Sequence, residues 1–458
     1  MILFQNATLM EIDPPRVREG MDVLVEGDEI AEVGKNLRPR LAGGDAPGAG
    51  GGGSAGGQDL RIIDATGKLL FPGLVCSHHH YYSGLARGII ADLGPMPDFV
   101  SVLKQLWWRM DRAHDEESLY ASSLICSLDA IRAGTTAVID HHASPSFIAG
   151  SLTALRRGME KTGLRGSTCY EVTDRHGEEG MLEGIEENRS FALAIDEEKK
   201  RGTWSGLSEA YIGGHAPFTL PDEGLRRIAE VTEETGRGFH VHLAEGAYDV
   251  SHSHITYGKD LVPRIDEFGL VNEKSILVHG IYLSAEEVAL MNERDAFLVH
   301  NCRSNMNNNV GYNQRLPEYR NLALGTDGIG GDMFEEMKVA FFKHRDAGGP
   351  MQPDGFLNAL ASGYRLLERS YGRKFGRIDE GYVADLVLAE YASPTPLRAE
   401  NIAGHIAFGM SSNIVESVMI GGRMVMDARA FPLDTDSIYA SAREEAKRLW
   451  SRMNEVEP

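Results

Sequence analysis

Basic residues are scarce in this chain. Lys and Arg number 46 against 67 Asp and Glu, a formal charge of −21 over 458 residues. A surface that acidic repels polyanions, so nucleic acid and anionic membrane are excluded as expected partners. Cysteine is scarcer still. Cys76, Cys126, Cys169 and Cys302 are scattered and form no CxxC pair, which excludes a disulfide framework. No apolar run reaches the roughly 18 residues of a membrane span, and the opening MILFQNATLMEID lacks the basic and apolar regions of a secretory signal. A reduced, cytoplasmic setting is therefore the expectation. What remains is an ordinary globular balance, 42% hydrophobic and 25% charged, ample for a large core. At roughly 150 residues per domain the length allows two or three domains.

Short β-prone runs open the chain at Ile2-Leu3-Phe4, Asp22-Val23-Leu24-Val25 and Glu29-Ile30-Ala31-Glu32-Val33, broken by Gly20, Gly27-Asp28 and Gly34. The tract 42–57 is glycine-rich and reads as a flexible surface loop, before a strand resumes at Arg61-Ile62-Ile63-Asp64. From residue 69 onward short apolar strands alternate with longer helical stretches. Eight strand candidates fall at 69–77, 135–140, 164–171, 210–214, 238–243, 275–279, 296–300 and 322–326. Capping-box spacing at Thr219-Leu220-Pro221-Asp222 and Ser284-Ala285-Glu286-Glu287 marks two helix starts. This α/β pattern over about 300 residues has the size of a (β/α)8 barrel, TIM-like, spanning 69–376; an open doubly wound sheet is the alternative. After residue 376 the texture returns to β, and 377–430 is expected to complete the first β module (1–68) as one composite domain. Within 431–458, Ile438, Tyr439, Ala442, Ala446, Leu449 and Met453 recur at helical spacing, which predicts a helix packed on the outside.

The first barrel strand ends in His78-His79-His80. Residues two apart share a strand face, so His78 and His80 point together while His79 points away. At the C-terminal end of a barrel strand the shared face looks into the mouth where active sites sit, and two imidazoles there suit a divalent metal. Other strand ends carry His240 and His242, His279, and Asp327, so ligand-competent side chains converge from four strands. Of the fifth-strand pair, His242 lies further toward the mouth and is favoured.

The string PGLVCSHHH, with HLAEG, LVHG, HNCRSN and LGTDG in that order, resembles the amidohydrolase superfamily, in particular its deaminase and chlorohydrolase branch. SHHHYYSGLARG, HNCRSNMNNNVGY and LGTDGIGGDMFEEM are more specifically similar to the SsnA-type aminohydrolases. The resemblance implies a barrel flanked by a small β-sandwich built from both chain ends. It implies one catalytic divalent metal held by His78, His80, His242 and Asp327, a proton-shuttling Glu245, and a His279 that hydrogen-bonds the attacking water or the tetrahedral intermediate. Three imidazoles and a carboxylate suit zinc first and ferrous iron second. Such a metal lowers the pKa of water from about 15.7 to about 7. Asp327 can accept the proton so released, and Glu245 can protonate a ring nitrogen and then the departing amine. Amide-hydrolysing relatives bridge two metals with a modified lysine on a central strand. Here the corresponding ends, Ser167-Thr168-Cys169-Tyr170-Glu171 and Ile212-Gly213-Gly214-His215, hold no lysine, which favours a single metal.

Substrate-facing candidates are Tyr81, Tyr82 and Arg87 in the loop after the histidines, with Arg87 suited to a carbonyl oxygen or carboxylate, and His215. Ser83 stands where purine-acting relatives resemble a glutamine. Glu171, Asp174, Arg175 and His176 read as a solvated loop, His141-His142 as the end of strand two, and Cys76 and Cys302 as inert thiols. The expected activity is release of ammonia from an amino-substituted nitrogen heterocycle, purine- or pyrimidine-like, by a soluble homodimer. The alternatives are chlorohydrolase-type or cyclic-amidine hydrolysis on a similar ring, or a silent metal-binding accessory protein.

Overall fold

In a computed structural model, which describes residues 1–37 and 60–457, the chain is α/β. The glycine-rich tract 42–57 lies outside the described residues. Strands β1 (Ile2–Ile12), β2 (Pro15–Glu26) and β3 (Glu29–Gly34) form an antiparallel meander; Gly27 (φ 62°) makes the β2–β3 turn that a side chain would strain. Strands β4 (Arg61–Asp64) and β5 (Leu69–Pro72) then run parallel to β1.

At Gly73 the chain leaves this sheet. The Gly73 N–H donates to Asp385 O (2.9 Å), the Leu74 N–H donates to Gly134 O (3.0 Å), and a Cβ on Gly73 would stand 2.0 Å from Thr136 Cγ2. The run 69–77, expected as one strand, is therefore divided into β5 and β6 (Leu74–His79). The apolar pattern is continuous across Pro72-Gly73, but only a residue without a side chain fits this close crossing.

Two parallel ladders follow. The first joins β6, β7 (Thr135–Asp140), β8 (Arg165–Thr168) and β9 (Ser208–Ala210). The second joins β10 (Ile212–Gly214), β11 (Phe239–Leu243), β12 (Ile276–His279), β13 (Phe297–His300) and β14 (Leu322–Leu324). Hydrogen bonds link them at both edges. Next to β10 the His215 N–H donates to Val172 O (2.9 Å), which follows β8; beyond β14 the Thr326 and Asp327 N–H groups donate to His78 O (2.9 and 3.1 Å). Every residue of these strands is buried, as expected where helices cover a parallel sheet. Ser284 and Glu287 form the expected reciprocal capping box on the helix Ala285–Glu293. Thr219 does not cap: the helix Asp222–Thr235 begins after Pro221, and the Thr219 hydroxyl instead donates to Ala216 O and meets His215 Nδ1.

After residue 376 the chain returns to the first sheet through β15 (Leu386–Ala389), β16 (Val415–Ile420) and β17 (Arg423–Met426). Both ends of the chain thus share one mixed sheet of order β17-β16-β15-β5-β1-β2-β3, with β4 against β1. It has its own core of Phe4, Leu9, Val23, Ile30, Leu70, Leu386 and Met419. A buried two-pronged pair, Arg165 Nε and Nη2 to Asp385 (2.7 and 2.9 Å), fastens β8 to this sheet. The final helix, Thr435–Glu455, packs on the helices Trp108–Ala113 and Glu116–Arg132. Among the described residues no helix is long and apolar enough to cross a membrane.

Candidate functional site

The C-terminal ends of the parallel strands bring the predicted histidines and aspartate together. His78 and His80 lie side by side with ring centroids 4.7 Å apart, while His79 turns away, its Nδ1 on the Asp327 carbonyl and its ring 5.3 Å from Tyr81. The period-two alternation of a strand produces this division. His242, from the end of β11, reaches His80 with Nε2 to Nε2 at 3.1 Å. Asp327 Oδ1 lies 2.8 Å from His80 Nε2 and 3.5 Å from His78 Nε2. His240, one face-repeat before His242, instead bonds the back of His78, Nε2 to Nδ1 at 2.9 Å, and orients that ring.

His279 Nε2 sits 3.9 Å from Asp327 Oδ2 and 3.5 Å from Glu245 Oε2, with its Nδ1 2.8 Å from Asn305 Oδ1. The Ser304 hydroxyl donates to Asp327 Oδ2 at 2.6 Å. Ala244 (φ 50°), His279 (φ 73°) and Asp327 (φ 54°) are all in the left-handed region. Such residues cost about 1–3 kcal/mol each and collect where structure serves a site; here they occur where three strands end at one cluster.

Ligand atoms of His78, His80, His141 and His242 lie within 4.8 Å of one another, as do those of His78, His279 and Asp327. The buried His78 Nε2 and His279 Nε2 have no hydrogen-bond partner. Burial pushes His78 down to about 3 and His242 well below the usual imidazole range, so both rings are held neutral. Burial also acts to lower His80, but Asp327 and Glu171 outweigh it and hold the ring well above its ordinary value. Asp327 is opposed by burial too, yet His78 and His80 hold it well below the carboxylate range. Converging buried imidazoles, with unpartnered nitrogens on His78 and His279, beside an ionised carboxylate are a donor set that fits a divalent metal. Glu245 lies beside this set. Burial, followed by the Asp327 charge, raises its carboxyl well above the ordinary value.

A cavity of about 960 Å³, its open mouth included, stands over the cluster; His80, His242, Glu245 and Asp327 lie on its floor. Of the substrate-facing candidates, His215 and Tyr82 line it. Two do not. Tyr81 is fully buried outside it, its N–H donating to Asp140 Oδ1 (2.7 Å) and its hydroxyl meeting Ser127 Oγ (3.3 Å). Arg87 is 70% exposed and pairs with Asp129 at 2.5 Å, away from the cavity. The 3-10 turn Tyr81–Leu85 separates them: Tyr81 opens it facing the core, Tyr82 faces the cavity, and Arg87 comes after the chain has left the mouth.

Glu171 and Arg175, read from sequence as a solvated loop, line the cavity instead, with Glu171 only 3% exposed. Trp108 and Asp111 were missed, although Trp107-Trp108 is a conspicuous apolar pair in a polar stretch. Trp108 and Asp111 also line the cavity, the Arg175 guanidinium stands 4.5 Å over the Trp108 ring, and its Nη2 lies 3.4 Å from Asp111. Cys76 is fully buried and pushed up to about 11 by that burial, which leaves it an unreactive thiol.

The model of the family described as Amidohydrolase family matches residues 69–425. The chain belongs to the Amidohydrolase family. Among curated relatives, a 5-methylthioadenosine/S-adenosylhomocysteine deaminase of Thermococcus sibiricus is 28% identical over 93% of this chain and 94% of its own. Among solved structures, a zinc-bound adenosine deaminase from Xanthomonas campestris superposes with a TM-score of 0.81 at 23% identity, covering 98% of both chains. Atrazine chlorohydrolase from Arthrobacter aurescens TC1, complexed with zinc, gives 0.77 at 20% identity over 97% of this chain and 100% of its own. This amidohydrolase chain therefore shares its fold with enzymes that break C–N and C–Cl bonds, and no lysine lines its cavity among the described residues.

Proposed function

We propose that this chain is a metal-dependent aminohydrolase releasing ammonia from an amino-substituted nitrogen heterocycle of the purine or pyrimidine kind. The observation that carries the reading is the half-buried Glu245 carboxyl, 3.5 Å from His279 Nε2 and beside, not within, the histidine–aspartate cluster on the cavity floor. His78, His80, His242 and Asp327 would hold one divalent ion, zinc first and iron second, and the absence of a lining lysine supports a single ion. When bound, such an ion supplies Lewis acidity and makes water a nucleophile at neutral pH. Asp327 would be placed to accept the proton released by an attacking water. The Ser304 hydroxyl donates to Asp327 Oδ2 while Oδ1 faces His80 and His78, which fixes the carboxylate at the cluster. Glu245 carries protons to the ring nitrogen beside the attacked carbon and then to the amine, which must leave as ammonia. His279, oriented through Asn305, hydrogen-bonds the oxygen that becomes the new carbonyl.

Chlorohydrolase-type attack on a similar ring is the second reading. It is supported by the shared fold and opposed by Glu245, since chloride needs no proton to depart. The curated deaminase relative favours amine loss. The remaining parts of the proposal are a (β/α)8 barrel over 69–376, a β-sandwich from 1–68 and 377–430 to which β5 contributes, a terminal helix within 431–458, a cytoplasmic homodimer, and no nucleic-acid or membrane partner. The test is an ammonia-release screen of metal-assayed protein across aminopurines, aminopyrimidines and aminopterins. Turnover with one of them is expected. Metal-loaded protein that is inert on all of them, yet releases chloride from a chlorinated ring, would overturn the reading in favour of the second.

A further inference from the structure

The cavity wall formed by 99–108 meets the core through part-buried side chains, among them Leu106 and Trp107. Neither Phe99–Val102 nor the π-helical turn Leu103–Trp107 contains a buried residue, although Phe99, Leu103 and Trp107 line the cavity. Its base is also tied to the far end of the chain, through the buried Arg109.

Arg109 Nη2 donates to Met453 O (2.6 Å) and Nε to Met453 O and Val456 O (3.2 and 3.1 Å), while Nη1 donates to Asp92 O (2.7 Å) in the segment that leads into the wall. The carbonyls of Met453 and Val456 lie at the C-terminal end of the helix Thr435–Glu455, where Met453 O already accepts from the Val456 N–H (3.3 Å) and the dipole is negative, so a buried cation there is favoured. Further bonds repeat the connection. Asn454 Oδ1 accepts from the Asp92 N–H (2.9 Å), Trp450 Nε1 donates to Leu85 O (3.0 Å), and Arg452 Nε donates to Ala113 O (2.6 Å). Arg109 is flanked by Trp108 and followed by Asp111, both on the cavity, where Trp108 carries the Arg175 guanidinium on its ring.

We infer that the last turns of the final helix, acting through Arg109, position the wall that carries Trp108 and Asp111, and so set how tightly the heterocycle is held. Arg109 is a positioning residue: it does not line the cavity and acts only through its neighbours. The inference rests on the cavity being the substrate site. The wall's contribution is made to bound substrate and transition state alike, so its loss belongs in KM and not in kcat.

The test uses the full, metal-loaded chain. Arg109→Met is compared with wild type by amide hydrogen exchange without ligand and by ammonia-release kinetics, with adenosine or, if that is inert, the fastest compound of the screen. The expected result is faster exchange confined to 85–113 and 450–457, a KM raised about tenfold, kcat within about threefold, and unchanged metal content. Unchanged exchange and KM would overturn the inference, as would a fall in kcat matched by loss of metal, which would make Arg109 a residue of general stability. If Arg109→Met does not fold, Trp450→Phe, which removes only the bond to Leu85, is read the same way with a smaller shift expected. A chain inert on every compound would fail the functional reading, and the exchange arm alone would still decide whether the helix end holds the wall.

Discussion

Replacing Glu245 with glutamine tests the proposed chemistry most directly. The change keeps the shape and the oxygen of the side chain and removes only its capacity to carry a proton. Glu245 belongs to none of the ligand-competent groups whose atoms converge; its closest contact to them is 3.5 Å, to His279 Nε2. Metal content and melting temperature should therefore match wild type. General acid–base catalysis is worth about 10²–10⁴-fold, so kcat should fall by at least that factor, equivalent to about 3 to 5 kcal/mol of transition-state stabilisation. The loss should fall on amine-bearing substrates far more than on a chlorinated analogue, because only ammonia must be protonated to leave. The assay is ammonia release at saturating substrate, with metal counted by mass spectrometry on the same preparation. Near-native turnover would make Glu245 a bystander and refute the mechanism; a variant that lost its metal would show that the carboxylate is a ligand instead.

Purified protein should hold about one tightly bound divalent ion per chain, and two ions both needed for activity would refute the single-site assignment. His78→Ala or His80→Ala should lose both metal and activity, whereas His79→Asn, which faces the Asp327 carbonyl and Tyr81, should keep its metal; the reverse pattern would shift the strand register by one residue. Asp385→Asn leaves the buried Arg165 guanidinium without its counter-charge, so unfolding in urea should show a loss of about 3–5 kcal/mol, and a neutral result would mean that β8 is held to the mixed sheet by other contacts. His114 is pushed down to about 4 by burial from an ordinary value of 6.5, so the unfolded chain binds its proton first. The stability linked to it is complete above about pH 6.5 and is lost as pH falls toward 4, and a His114→Asn variant should flatten that part of the stability profile by a few kcal/mol at most.

The sequence by itself determined the chemistry of the cluster. Spacing of two on a strand is a local property, so the pairing of His78 with His80 and the exclusion of His79 needed nothing beyond alternation. The β runs at both chain ends and the eight apolar segments between them were legible for the same reason, because strand periodicity and glycine punctuation act over a few residues. The Ser284 cap was legible as well, being a contact three residues long. Tertiary structure decided what those local rules cannot reach. Pro72-Gly73 interrupts no apolar pattern, and only the approach of Thr136 and Asp385 shows why the strand must break there. Tyr81 and Arg87 followed the histidines closely enough to be expected in the mouth, yet one short 3-10 turn sent them to the core and to solvent. The walls of the cavity were the least legible part. Trp108, Asp111, Glu171 and Arg175 come from separate stretches, and the helix end that braces them through Arg109 is 344 residues away. A histidine–aspartate cluster can be read from strand ends because the backbone sets its geometry, whereas a cavity wall is made by packing between distant segments, and that is settled only when the chain has folded.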